Sequence, residues 1–309
     1  MQGDRNLIMN IIIFGAGAIG SLMGAYLSKN NNVLLIGRKS HILSIKKNDL
    51  VIIGKTNLKI KINATESFDD LKFKSDLLIL TVKSYDTESA ILQVKKIIDK
   101  DTIVLSLQNG LNNIDIIKQY INYENIIAGV TTHGAFFSKP GVIKHTGIGT
   151  TILGELNGKK TDRIYNIINC FNRSEIETVL AKDIIKEIWY KAIINSSINP
   201  LTAIFNCKNG YLLENPILEK FVEKICEEST DIAYSNGIKL SFNNAIKKTK
   251  EVIKNTSDNY SSMLQSIKNY KKTEIDSING KLVEIGKTYK TDISLNQILK
   301  YLIKTEESK

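Results

Sequence analysis

Lys191, Asn195 and Asn199 stand four residues apart in the stretch Trp189 to Pro200. On a helix, positions i, i+4 and i+8 share one face. Ala192, Ile193, Ile194 and Ile198 lie between them and suit burial. A cation and two amides therefore project as a row from an otherwise core-like helix. Such a lysine is costly unless it meets something polar, which could be a structural carboxylate or a ligand. Pro200 follows directly and biases Asn199 away from helical geometry. Further polar candidates come later: Asn209 beside Gly210, Ser262 within Ser261 to Ser266, and Glu274 within Lys272 to Gly280. Glu274 reads first as a carboxylate favouring the dipole at the start of a helix. His41, His133 and His145 are scattered without HxxxH spacing, which argues against a metal site. His133 invites an acid or base role, but a hydrogen-bonded histidine at a strand end is the favoured reading.

The elements that would position these groups fall into two halves. Residues 10–14 form a short apolar run of the kind found in a buried parallel strand. It leads into Gly15, Ala16, Gly17, Ala18, Ile19 and Gly20, a helical pattern from 21 to 28, and a second strand at 33–36. Strand, GxGxxG, helix and strand within about thirty residues is the dinucleotide-binding arrangement. Gly15 serves the tight turn, Gly17 lets backbone approach a pyrophosphate at the helix end, and Gly20 permits close helix packing. The second strand ends in Gly37, Arg38 and Lys39 rather than in an acid. A carboxylate there would hold a ribose 2′-hydroxyl, whereas a guanidinium clamps a 2′-phosphate. NADP(H) is therefore expected over NAD(H).

Residues 50–63 read as two short strands around a turn. Buried strands follow at 77–82, 103–107 and 126–132. Gly15, Arg38, Lys83 and Asn109 all fall at strand carboxyl ends, where open α/β sheets collect ligands. Residues 142–145 and 150–153 read as a hairpin pair, 161–172 as a helix and 175–179 as a last strand. From about residue 183 the period is helical throughout, with helices expected at 183–198, 216–236, 241–255, 260–270, 273–290 and 294–305. The expected organisation is an α/β Rossmann domain, residues 1–182, with a doubly wound parallel sheet, followed by an all-α domain, residues 183–309.

Bulk composition is globular, at 42% hydrophobic and 24% charged residues. No apolar run reaches membrane-span length, and Met1 to Met9, with Asp4 and Arg5 and no long apolar core, is expected not to be a secretory signal; Met1 or Met9 could be the native first residue. Three cysteines without CxxC spacing fit a reducing, cytoplasmic setting. The net charge of +10 comes from dispersed lysines rather than a basic block. It favours anionic substrates and cofactors over nucleic acid.

The chain resembles the ketopantoate reductase family from about Asn10 to residue 305. The resemblance rests on Gly15 to Gly20, Thr81 to Lys83, Gln108 to Gly110, Thr131 to Ala135, Trp189 to Lys191, Asn195 through Ala203, Asn209 and Gly210, Ser261 to Gln265, and Thr273 to Asp276 with Ile278 to Gly280. It implies NADPH-dependent reduction of 2-dehydropantoate to (R)-pantoate, toward pantothenate and coenzyme A. It further implies a Rossmann domain joined to a helical domain of the 6-phosphogluconate dehydrogenase carboxyl-terminal type, with the site in the cleft between them. By the same resemblance Lys191 would be the general acid. Asn195, Asn199, Asn209 and Ser262 would hold the substrate carboxylate and hydroxyl. Lys83, Asn109 and Ala135 would line the cofactor, Asn109 also near the substrate, and Glu274 would contact the nicotinamide end and help order the lysine. Hydride addition to a ketone develops negative charge on oxygen, which a nearby ammonium stabilises and protonates. Two rivals stand beside this reading: a related NADPH-dependent reductase of another 2-keto acid, and a non-enzymatic NADPH-binding sensor. A monomer or homodimer with a small-molecule partner, no nucleic acid and no membrane is expected.

Overall fold

The computed structural model describes residues 8–67 and 74–309. The chain divides into two compact units: Met1–Gln108 with Asn113–Ile184, and Asn109–Asn112 with Ile185–Lys309.

The first unit runs β1 (Asn10–Phe14), α1 (Ala18–Leu27), β2 (Asn32–Ile36), α2 (Lys39–Asn48), β3 (Leu50–Gly54), β4 (Leu58–Ile60), β5 (Asn63–Thr65), β6 (Leu77–Leu80), α3 (Thr87–Val94), β7 (Ile103–Ser106), α4 (Asn113–Lys118), β8 (Ile126–Thr131), β9 (Gly134–Lys139), β10 (Val142–Gly147), β11 (Thr151–Glu155), α5 (Asp162–Arg173) and β12 (Thr178–Leu180). Eight strands form one sheet in the order β12-β11-β8-β7-β6-β1-β2-β5. The six from β5 to β8 are parallel, and β11 joins antiparallel to β8. This is the Rossmann-type sheet, with its order reversing between β1 and β6. Continuous apolar runs such as Ile11, Ile12 and Ile13 or Leu77 to Leu80 are buried, as a sheet covered on both faces requires.

A smaller sheet, β4-β3-β10-β9, is assembled from two insertions, one before β5 and one after β8. Its strands β3, β9 and β10 pack on α1, which also packs on β1 and β2. The glycine-led helix is thus held between two sheets, and Gly20 through Leu27 are all buried.

The second unit contains α6 (Ile184–Ile204, its first residue the last of the first unit), α7 (Tyr211–Glu214), α8 (Pro216–Ser235), α9 (Phe242–Asn255), α10 (Ser262–Lys268), α11 (Asn279–Tyr289) and α12 (Ser294–Glu307). Ile193, Ile198, Leu201, Val222, Ile225, Ile232, Leu282 and Leu299 belong to its core. Asn215 begins α8 by accepting hydrogen bonds from the N–H groups of Ile217 and Leu218, with Pro216 in the first turn. Among the described residues no helix is long and apolar enough to cross a membrane.

The structure corrects the sequence reading at four places. Residues 142–145 and 150–153 are not a hairpin: β10 pairs with β9 and β3, while β11 pairs with β8 and β12. Alternation cannot show which sheet a strand joins, and β9 hid behind its glycine. The last strand starts at Thr178, because Glu175 takes φ 62° in the preceding turn. Pro200 does not end its helix. Proline's fixed φ is itself helical, Asn199 is buried, and α6 continues to Ile204. Finally, residues 273–278 are turns, and α11 begins only at Asn279.

Candidate functional site

The glycine turn is built from backbone contacts. Gly15 leaves β1 at φ 110°, and a Cβ there would lie 2.5 Å from Val82 N in the segment after β6. The N–H groups of Gly15 and Ala16 donate to Ile36 O, at 3.0 and 2.9 Å. The Thr81 hydroxyl donates to Gly15 O at 2.8 Å. These bonds tie the turn to both neighbouring strands at the point where the sheet order reverses. Gly20 faces the same Gly15 O and Thr81 Oγ1 so closely that no side chain fits. Gly17 differs: it is exposed, and a Cβ on it would meet only Gly15 O, at 3.8 Å. It precedes α1, which has no side-chain cap and no acid in its first turn. Open backbone at an uncapped helix start is an anion cradle, so these residues fit a dinucleotide pyrophosphate.

Arg38 is exposed just beyond β2 and stands directly before α2, whose first turn also lacks an acid. Gly37 before it is closely confined, since a Cβ would lie 2.7 Å from Ala16 Cβ. Lys83 is half-buried and opens a short turn at Ser84–Asp86. Gln108 is structural: its amide donates to Val82 O at 3.0 Å and to Thr87 Oγ1 at 2.9 Å, fastening the ends of β6 and β7 together. Ala135 lies in β9 opposite His145 and packs partly on the core of this unit.

The histidines are buried ties. His41 Nδ1 accepts from Gly141 N at 2.9 Å, and its Nε2 meets Ser21 Oγ at 3.0 Å. His133 Nδ1 meets His145 Nε2 at 3.2 Å, and His145 Nδ1 meets Thr56 Oγ1 at 2.9 Å. Burial lowers His41 to about 4, and burial with the neighbouring His145 lowers His133 to about 4. Both rings are neutral near neutral pH. Among the described residues no group of three or more His, Cys, Asp or Glu could hold a metal ion.

In the second unit, α6 carries Lys191, Asn195 and Asn199 along one face, spaced about 6 Å per step by helix rise. Lys191 and Asn195 are half-buried and Asn199 is buried, so the row runs inward from a partly open lysine. The residues between are core: Ile193 is fully buried, and Ala192 and Ile198 nearly so. Asn209 is buried before α7, with its amide donating to Thr256 Oγ1 at 2.8 Å. Its Oδ1 is buried and lacks a hydrogen-bond partner among the described residues. At α10 the two adjacent serines split their tasks. Ser261 is buried, caps the helix through Leu264 N and accepts from the Thr202 hydroxyl at 2.7 Å. Ser262 is exposed.

Glu274 is not a first-turn carboxylate. It is 7% exposed, in the turn before α11, and accepts from Asn109 Nδ2 at 3.4 Å. The 109–112 segment reaches this turn because Gly110 (φ 99°) lies against Ser277 and Leu111 N donates to Ser277 O at 3.1 Å. Asn109 and Glu274, 165 residues apart in sequence, are thus neighbours. The sequence reading did not single out Thr81, Gly37 or Gln108 as parts of the site. Each sits at a strand end beside a residue that was named, which is the signal that could have found them.

Two family models match the chain: Ketopantoate reductase PanE/ApbA over residues 11–158, and its C-terminal counterpart over residues 183–307. A 2-dehydropantoate 2-reductase of Pyrococcus horikoshii is 42% identical over 97% of this chain and 98% of its own. Among solved structures, D-mandelate dehydrogenase with NADH and anilino(oxo)acetate superposes with a TM-score of 0.91, at 30% identity over 97% of this chain and 99% of that one. A PanE/ApbA family ketopantoate reductase from Ralstonia eutropha does so at 0.88, with 27% identity over the same shares.

Proposed function

The chain belongs to the ketopantoate reductase family, and from that premise we propose how its residues reduce 2-dehydropantoate. A reduced nicotinamide supplies the hydride that adds to the ketone carbon. What the protein adds is binding, charge and a proton. The space left beside Gly17, whose own N–H donates to Gly15 O at 2.6 Å, and the first N–H groups of α1, on Ala18, Ile19 and Gly20, would receive the pyrophosphate. Lys83, Asn109 and Ala135 would hold the rest of the dinucleotide, and Glu274, which accepts from Asn109, would serve its nicotinamide part.

Lys191 is the proton donor. Its ammonium would stabilise the oxygen on which charge develops and hand over a proton as the alcohol forms. Partial exposure lets solvent reprotonate it between turnovers. Asn195 and Asn199 hold the keto acid's polar groups along the same face, and Ser262 adds a hydroxyl. Asn209 Oδ1, a buried acceptor, suits the substrate's hydroxyl. A ligand lacking these groups would leave buried amides unpaired, which is the basis of discrimination.

The finer cofactor choice is NADPH, because Arg38 and the acid-free start of α2 offer a 2′-phosphate two favourable contacts. The protein acts in the cytoplasm on a small keto acid, as a monomer or homodimer. A second reading is favoured by one observation: D-mandelate dehydrogenase, with NADH bound, shares the fold over nearly its whole length. On that reading the substrate is a larger 2-keto acid and the coenzyme NADH. The observation that decides for ketopantoate is the 42% identity to the archaeal reductase. Coenzyme oxidation measured with NADPH and NADH against ketopantoate, ketoisovalerate and benzoylformate separates the two. NADPH with ketopantoate should give the highest kcat/KM; a maximum at NADH with benzoylformate would replace this reading by the second.

A further inference from the structure

Proline has no N–H, so Pro200 leaves the carbonyl of Ser196, four residues back in α6, without its helical donor. That carbonyl lies between Asn195 and Asn199 along α6, on the flank of the polar row. It is not left bare: Asn279 Nδ2, from the first position of α11, donates to Ser196 O at 3.1 Å. The same Nδ2 donates to Asn296 Oδ1 at 2.9 Å. Asn296 Nδ2 in turn donates to Glu228 Oε1 at 2.8 Å and to Ser229 Oγ at 3.1 Å. Glu228 also accepts from the N–H groups of Leu295 and Asn296, both at 2.8 Å, at the start of α12. Asn279 and Asn296 are wholly buried. The two ends of this chain can only accept, a peptide carbonyl on one side and a carboxylate on the other. Both amides are thereby fixed in orientation, with every donor on them used.

We propose that Asn279 is a positioning residue for the substrate row: its amide replaces the N–H that Pro200 removes, and anchors α6 between Asn195 and Asn199 to α8, α11 and α12. A proline in the row is useful on this account. It frees a carbonyl that a side chain from another helix can grip, so the row is set by tertiary structure rather than by α6 alone. The proposal rests on reading Lys191, Asn195 and Asn199 as the substrate row.

The test is a double-mutant cycle on the full chain with Asn279→Ala, Pro200→Ala and the pair. Ketopantoate KM, kcat, NADPH Kd and Tm are measured for each. Asn279→Ala should raise the ketopantoate KM by about tenfold, the effect of one unpaired buried acceptor, and lower Tm. NADPH Kd should stay within about twofold, because the glycine turn is untouched. Adding Pro200→Ala restores a peptide N–H to Ser196 O and should recover most of both losses. Losses that simply add, or a wild-type KM in Asn279→Ala, overturn the proposal. If Asn279→Ala is insoluble, solubility of the double variant supports it and insolubility overturns it. Asn195→Ala separates the two layers. Unchanged KM there overturns the row reading and the positioning role with it. Impaired Asn195→Ala without Asn279–Pro200 coupling overturns the exchange alone.

Discussion

Gly17 and Gly20 sit three residues apart in one motif, and their alanine variants should fail in opposite ways. At Gly20 a methyl group would drive into Gly15 O and Thr81 Oγ1. Overpacking of this kind costs about 1–3 kcal/mol, and displacing Thr81 from Gly15 O costs about 1 more. Alanine's better helix propensity returns about 1 kcal/mol, so Gly20→Ala should lose roughly 1–3 kcal/mol of stability. At Gly17 the backbone has φ −84°, which alanine adopts freely, and the methyl group meets only Gly15 O at 3.8 Å. A more restricted unfolded chain favours Gly17→Ala by about 0.4–1 kcal/mol, but Gly17 is the N-cap of α1, where alanine caps poorly, so the two offset and its stability should stay within about 1 kcal/mol of wild type. The same methyl group stands where a pyrophosphate approaches. Loss of one charge-assisted hydrogen bond, about 1.5–3 kcal/mol, weakens NADPH binding by roughly 10- to 150-fold. Thermal unfolding and NADPH fluorescence titration on the two variants read both effects. A Gly17→Ala protein that binds NADPH like wild type would refute the assignment of that backbone to the pyrophosphate. A Gly20→Ala protein with unchanged Tm would refute the packing argument.

Lys191→Ala should lower kcat by roughly 10²-fold or more, the span expected for a lost proton donor, while NADPH Kd is unchanged; near-wild-type turnover excludes it as the acid. Arg38→Asp should weaken NADPH by about tenfold or more and shift preference toward NADH, as ratios of kcat/KM will show, and an unchanged ratio removes Arg38 from the 2′-phosphate site. His41 and His133 titrate near 4 when folded but near 6.5 when unfolded, so the unfolded chain binds more protons between those values. Their contribution is fully present above about pH 6.5 and is lost as pH falls toward 4, by up to about 3 kcal/mol each. Urea midpoints at pH 7 and 4.5 should therefore converge in His41→Gln relative to wild type; an equal acid loss in both proteins contradicts this. Glu274→Gln keeps a polar partner for Asn109 and should fold normally, whereas Glu274→Leu removes the acceptor that Asn109 Nδ2 meets at 3.4 Å and should lower kcat/KM more; equal activity of the two denies the Asn109–Glu274 contact a role.

Local signals carried most of the fold. The buried parallel strands announced themselves as unbroken apolar runs, and the glycine motif lay where strand and helix patterns met. The helical second unit was legible from its period, although the Asn215 cap before Pro216 shows only in the structure. Pairing was not legible. Nothing in residues 142–153 states that β10 turns to β3 while β11 turns to β8, because alternation sets which face is buried and not which neighbour is met. Proline misled for a related reason: its local cost at Pro200 is met by Asn279, a residue 79 positions away. Glu274 misled because a first-turn carboxylate and a turn carboxylate share one sequence pattern, and only Asn109 tells them apart. The spacing of Lys191, Asn195 and Asn199 was legible from period alone, but that Asn199 stays in the same helix was not, since α6 runs on through Pro200 to Ile204.

The small sheet has a temporal consequence. β3 and β10 pair in parallel although about ninety residues separate them, so closing that loop costs about 4 kcal/mol beyond a constant. Half of the cover over α1 therefore arrives late. During synthesis the nucleotide helix emerges early, yet the strands of β9 and β10 that seal it are made only after β8 has emerged. Until then its apolar flank is open to other chains. Messages or truncations that stop before Val142 should leave a product that is captured by chaperones or aggregates, even though every residue of the glycine motif is present.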